Sequence, residues 1–425
     1  MPQRDMFPTA CILSVLVCLF GSPAFARGPG DKFPTYDTPY YVIHTDLDPD
    51  ALREAKARLV PLAETYYKAV QPFAGGKKVT KKFQFYLFSK EEDFHASGGP
   101  PQGKGVFNGQ EVLAFMPQGE WANEGWKNLQ HECLHQFVHV FVCDNLPPWL
   151  NEGLAVYYSE AIWTGDGYVP GGIPSIRRKT IQGQIKDKSV VPLAKFLKLT
   201  QTEWVSTSGD EMLHWYNQGW SMVYFLMHAD GGKYQKLLND FIKDIQAGKP
   251  IDASFAVRFG HDGGPLGKRY DQWWTEMGEE PSPEVYAQAS VAILTSFLAR
   301  ATAGGTKFKD VNDFLDQNKE AVTSNKGDFP NKTDQWLPGA LLMSACLEAQ
   351  DQKDWHWFLD NGKKFPKWIM KSDDGMVYTG TFDYVPKRVT KKGPDGKSQE
   401  SIDLSRLHVD VTAAKSKTAG GGLRQ

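Results

Sequence analysis

The stretch His131-Glu132-Cys133-Leu134-His135, followed by Pro147-Pro148-Trp149-Leu150-Asn151-Glu152-Gly153, decides how this chain is read. On an α-helix four residues advance by about 400°, a net turn of roughly 40°, with a rise of about 6 Å. His131 and His135 therefore project the same way from successive turns, and both imidazoles can reach one metal ion. Glu132 stands beside the first histidine, where its carboxylate is placed to act as general base on a water at that metal. The flanking residues supply the helix. Cys133, Phe137, Val140 and Phe141 follow an i, i+4, i+7, i+8 pattern, and Leu134 and Val138 widen the apolar face. The helix is expected to open near Ala122 or Asn123, with Asn123 as its N-cap. It should end by Asp144-Asn145, because Pro147-Pro148 cannot continue it.

A second helix is expected after the prolines, with Glu152 in its first turn. Sixteen residues separate His135 from Glu152, enough for the chain to turn and lay this helix beside the first. Glu152 is thus the candidate third ligand. A His, His, Glu shell leaves a fourth position for water, as catalytic zinc sites do and closed structural sites do not. Glu160 competes for the same role from two turns further along, and only one of the two carboxylates can face the metal. His139 extends the histidine series to i+8, roughly 12 Å along the axis from His131, too far for all three imidazoles to share one tetrahedral ion. A packing or supporting role is expected of it.

With these residues in place, the chain resembles the gluzincin peptidases, which include thermolysin-like and alanyl-aminopeptidase-like enzymes. Within them it is similar to a peptidase MA-like group of secreted bacterial proteins, where a His-Glu-Cys-x-His-Gln run precedes Pro-Pro-Trp-Leu-Asn-Glu-Gly. The similarity covers about residues 40–280. It implies a zincin-like α+β fold, Zn2+ as cofactor, His131, His135 and Glu152 as ligands, Glu132 as base, and a peptide or protein substrate. In the resembled families a small α/β lobe packs on the metal helix and its edge strand receives substrate by strand addition. The segment Gly109 to Met116 is the expected edge. The clan's aminopeptidases space the second histidine and the ligand glutamate differently and carry a Gly-x-Met-Glu-Asn motif for the substrate amine. This sequence lacks that motif, so an endopeptidase-like action is expected.

A tetrahedral intermediate needs a donor aimed at its developing charge. Tyr216, in Leu213-His214-Trp215-Tyr216-Asn217-Gln218-Gly219-Trp220, is the candidate, and the resembled group has a similar tyrosine. His214 is the alternative, since clan members use either residue type.

Arg4, an apolar run from Ala10 to Phe20 and the Ala24-x-Ala26 pair read as a secretory signal peptide over residues 1–26. A periplasmic or extracellular protein with no stable membrane insertion is expected. Cys133, Cys143 and Cys346 remain after cleavage and are too few for a disulfide framework. Ten residues of helix would hold Cys133 and Cys143 about 15 Å apart. A bridge from Cys346 to either is left open. A net charge of −2 argues against a nucleic-acid partner, and the basic run Lys387 to Lys392 reads as a solvated segment.

Tyr40–His44, Lys82–Phe88 and Glu111–Phe115 read as strands, and Asp50–Val70 as a helix. Helices are expected near Pro192–Leu199, Met212–His228 and Lys233–Ala247, completing a metallopeptidase domain over residues 27–280. Beyond Pro281-Ser282-Pro283 the pattern is helical again, with Glu284–Arg300, Val311–Ala321, Trp336–Ala349 and Asp354–Phe358 forming a mainly helical region to residue 386. Residues 387–425 are expected to be a polar, mobile tail. Three readings follow: an active zinc peptidase, a zincin-like domain that binds without catalysis, and a scaffold in which the motif holds no metal.

Overall fold

The computed structural model describes residues 28–101, 103–117, 119, 122–260, 264–279, 281–318, 337–362, 364–384, 387–392, 398–403 and 407–415. The expected signal peptide lies outside them. The fold is α+β, in two compact units. Among the described residues, those within 28–49, 62–161 and 170–281 make up the first unit and those within 50–61, 162–169 and 282–415 the second.

In the first unit, strands β1 (Thr35–Asp37), β2 (Tyr41–Thr45), β3 (Phe83–Phe88), β4 (Gly105–Phe107) and β5 (Glu111–Phe115) form one sheet in the order β1-β2-β3-β5-β4. The β2–β3 and β3–β5 pairs are parallel, and β1 and β4 add antiparallel edges. Tyr41, Ile43 and Thr45 are buried while Val42 and His44 are half-buried, the period-2 pattern that makes β2 a strand. Helix α1 (Pro49–Val70) crosses from β2 to β3, and its first part is counted with the second unit.

Glu111–Phe115 is a strand as expected, but it is not the edge: β5 lies between β3 and β4. The edge is the three-residue β4, folded back along β5 by a turn at Asn108-Gly109. The Asn108 Oδ1 accepts from the N–H groups of Gln110 and Glu111, both at 3.0 Å. This Asx-type closure fixes the hairpin.

The helices of the first unit continue as α2 (Glu91–Ala96), α3 (Ala122–Phe141), α4 (Pro148–Ser159), α5 (Ser175–Lys186), α6 (Leu193–Phe196), α7 (Gln201–Ser206), α8 (Gly209–Gly232), α9 (Gln235–Gln246), α10 (Ile251–Phe259) and α11 (Gly264–Glu276). Asn123 lies inside α3 and is not its cap. Regular geometry in α8 stops at His228, because Ala229 is extended and Asp230 and Gly231 take positive φ, so the expected end at His228 is met.

Two contacts place α4. The buried Gln130 amide on α3 donates to the carbonyls of Tyr158, Ser159 and Ala161 at 3.3, 3.0 and 3.4 Å, capping the carbonyl end of α4. At the other end, α4 and α8 meet at two glycines: a Cβ on Gly153 would lie 2.4 Å from the Gly219 carbonyl oxygen. The two helix backbones come close there because neither residue carries a side chain, and the approach sets Glu152 against α8.

The second unit holds β6 (Ile162–Trp163), β7 (Tyr168–Val169), α12 (Pro283–Ala303), α13 (Val311–Gln317) and α14 (Gly339–Asp351). It also holds β8 (Trp355–Asp360), β9 (Lys367–Ser372), β10 (Met376–Asp383), β11 (Lys387–Lys392), β12 (Ser398–Asp403) and β13 (His408–Lys415). An antiparallel sheet, β13-β10-β9-β8, packs against α12, and β11 pairs with β12. Two expectations are corrected here. The region to residue 386 is mixed, because Trp355–Asp360 is a strand whose side chains alternate across the sheet instead of forming a helical stripe. Within the expected mobile tail, Lys387–Lys392, Ser398–Asp403 and His408–Lys415 are strands. The buried Arg300 and the half-buried Asp166 form a two-pronged ion pair at 2.8 Å.

The close α4–α8 crossing predicts opposite outcomes for two glycine substitutions. Gly153→Ala should destabilise by about 1–3 kcal/mol through overpacking. Gly183→Ala, in α5 with nothing within 4 Å of the added Cβ, should stabilise by about 0.5–1 kcal/mol. Urea unfolding of both variants checks the pair; equal effects would contradict the crossing.

Candidate metal centre

His131 and His135 sit one turn apart on α3, and α4 brings Glu152 to them. One ligand atom from each of the three lies within 4.8 Å of the others. The Nε2 atoms of the two histidines are 3.0 Å apart, and Glu152 Oε2 is 3.1 Å from His131 Nε2 and 3.5 Å from His135 Nε2. Three atoms bound at roughly 2.0–2.1 Å around one tetrahedral ion are about 3.3 Å from one another. The observed triangle brackets that figure.

Hydrogen bonding alone satisfies this cluster poorly. His135 Nδ1 lies 3.3 Å from the Asn151 Oδ1 acceptor. A neutral ring donating there turns its Nε2 lone pair toward the Glu152 carboxylate. Glu152 Oε1 and His131 Nδ1 are buried with no hydrogen-bond partner. Two imidazoles and a carboxylate pointing lone pairs at one spot, away from water, call for a positive charge. Burial opposes protonation of His135, yet the Glu152 carboxylate outweighs it and raises its pKa. Burial likewise pushes Glu152 up, and the two histidines more than reverse it, holding the carboxyl well below its usual range. The donor set and spacing fit zinc.

Glu132 lies at the centre's flank, 1% exposed. Its Oε2 accepts from the Phe107 backbone N–H at 2.7 Å, and its Oε1 is buried without a hydrogen-bond partner. Tyr216 on α8 is close: its ring centroid is 6.2 Å from that of His131. Burial, and after it the Glu152 charge, pushes its hydroxyl well above the ordinary value, so it stays a donor. His214 precedes Tyr216 by two residues, about 200° round the helix, and is not among the clustered ligands.

The remaining candidates fall elsewhere. Glu160 ends α4 and is paired with Lys127 at 3.1 Å and Arg177 at 2.6 Å, away from the ligand cluster. His139 is partly exposed, pairs with Asp144 and rests its ring 5.5 Å from that of Phe107. Cys133, Cys143 and Cys346 are free thiols. Burial, then the Glu132 charge, pushes the Cys133 thiol well up, so it is no thiolate ligand.

Two contributors are absent from the sequence reading. Asn151 was legible in the Asn-Glu pair that opens α4. The strand supplying the Phe107 N–H was signalled only by Asn108-Gly109 between Val106-Phe107 and Val112-Leu113. No known family model matches the chain, and no curated protein matches it in sequence.

The Glu160 cluster generates a stability prediction. Burial raises the Glu160 carboxyl, but Lys127 and Arg177 overcome this and hold it at about 2. A depressed carboxyl pKa contributes stability that is full above about 4.5 and lost as pH falls through about 2. Glu160→Gln should therefore cost about 3 kcal/mol at pH 7, with its gap from wild type closing between about pH 4.5 and 2. Chemical denaturation across that range checks it; a gap independent of pH would contradict it.

Proposed function

We propose that this chain is an exported zinc-dependent peptidase, endopeptidase-like in action. The observation that carries the reading is the buried triangle of His131, His135 and Glu152 beside a glutamate with one uncommitted oxygen. His131 Nε2, His135 Nε2 and Glu152 would hold the ion, and Asn151 orients His135 from behind. Bound zinc supplies polarisation of the scissile carbonyl and lowers the pKa of a neighbouring water. Glu132 Oε1 takes the proton from the attacking water and passes it to the leaving amine. Tyr216, kept protonated, donates to the developing oxyanion. The peptide specificity, as opposed to other acyl chemistry, rests on the resemblance of His131–His135 and Trp149–Gly153 to gluzincins. Export rests on residues 1–26. Among the described residues no helix is long and apolar enough to cross a membrane.

One observation favours a second reading, a zincin-like domain that binds without cleaving. His131, Glu132, His135 and Glu152 are all 3% exposed or less, and catalysis requires a peptide to reach them.

Cleavage of a broad peptide library by zinc-loaded wild type and Glu132→Gln separates the readings. The peptidase reading expects the variant to keep its zinc and lose about 10²–10⁴-fold in rate. Equal cleavage by both removes Glu132 as base, and no cleavage by zinc-loaded wild type leaves the binding module.

A further inference from the structure

The short edge strand β4 does something to Glu132 that neither the motif nor the ligand geometry requires. In an antiparallel pair, residues alternate between turning their N–H and C=O toward the partner strand and turning them away. The Phe115 N–H donates to the Lys104 carbonyl at 2.8 Å and the Asn108 N–H to the Glu111 carbonyl at 3.2 Å. These bonds set the phase: Lys104, Val106 and Asn108 face β5, so Gly105 and Phe107 turn their backbone groups outward. The Phe107 N–H is the donor that Glu132 Oε2 accepts. At Gly105 a Cβ would lie 3.0 Å from Glu132 Cγ and 3.6 Å from Oε1. The strand thus holds one carboxylate oxygen with a backbone donor and makes room for the carboxylate's stem with a missing side chain.

We propose that β4 positions the base: the Phe107 N–H anchors Glu132 Oε2, Gly105 gives the side chain its place, and Oε1 alone is left to take a proton. This rests on the peptidase reading and deepens it. Rotation of the carboxylate would exchange two equivalent oxygens in an unanchored glutamate; here the two have different tasks. Gly105 and Phe107 are positioning residues, since they act through Glu132.

The test needs no known substrate. Acetohydroxamic acid chelates zinc and hands its hydroxyl proton to a base beside the metal, so its affinity reads the placement of that base. Phe107→Pro removes the N–H, and because that N–H points away from β5 the ladder is kept. Phe107→Ala loses the same ring but keeps the N–H. Hydroxamate binding to the zinc-loaded proteins is measured by calorimetry, with zinc stoichiometry and melting temperature recorded for each. The expected result is binding roughly tenfold weaker in Phe107→Pro than in Phe107→Ala, the size of one lost charge-assisted hydrogen bond, at equal zinc content. The difference should vanish when Glu132→Gln is added to both. Gly105→Ala provides an independent check: it should weaken binding in wild type and not in Glu132→Gln.

Equal affinities for the two Phe107 variants overturn the proposal, as does a difference that persists without Glu132. If a Phe107 variant does not fold, Gly105→Ala decides by the same criterion. Zinc-loaded wild type that binds no hydroxamate also overturns it, since the base is then out of reach. Wild type with zinc well below one equivalent overturns the peptidase reading itself, which separates the two failures.

Discussion

A carboxylate and two imidazoles share a space from which water is excluded, and they need a positive charge among them. Burying an unpaired carboxylate is costly enough that the group would sooner take up a proton. Glu152 instead stays ionised against His131 and His135. Everything around the site works to keep these three together. The Gln130 amide ties α3 to the end of α4, and the glycine contact at Gly153 and Gly219 brings α8 close enough to set Tyr216 beside the centre. The conspicuous run Asn151-Glu152-Gly153 thus has three separate placements: Asn151 against His135, the Glu152 carboxylate against both histidines, and Gly153 against Gly219 of the neighbouring helix.

The two charged clusters on α4 make the choice of ligand physical. Glu152 and Glu160 lie two turns apart, and each is held ionised while buried, but by different partners. Glu160 is satisfied by Lys127 and Arg177, so it has no need of a metal. Glu152 faces the two histidines, with the Tyr216 hydroxyl beside it. A cation at Glu152 completes its surroundings, whereas one at Glu160 would compete with two side-chain cations already in place.

Much of this was legible in the sequence because it lay in long periodic segments. The buried stripe of Cys133, Phe137 and Phe141 fixed the phase of α3, and with it the common direction of His131 and His135. The prolines marked where α4 must begin. Short elements were not legible. Gly105–Phe107 offers three residues, too few for alternation to declare itself, and so the edge of the sheet was assigned one strand too far along. Asp354–Phe358 reads as helix in the sequence but falls in the strand Trp355–Asp360, because so short a run of bulky residues carries a pattern that periodicity alone assigns to neither class. The backbone donor at Phe107 carries no side-chain signature at all. Such contributions come from where a strand runs, which only tertiary structure decides.

The central claim is that His131, His135 and Glu152 bind one zinc ion with a position left open. X-ray absorption at the zinc edge, on protein purified without added chelator, tests it directly. The account predicts about one zinc per chain with only nitrogen and oxygen neighbours at roughly 2.0–2.1 Å, two of them imidazole. A shell containing sulfur, or a protein that retains no zinc when the metal is supplied, would contradict it.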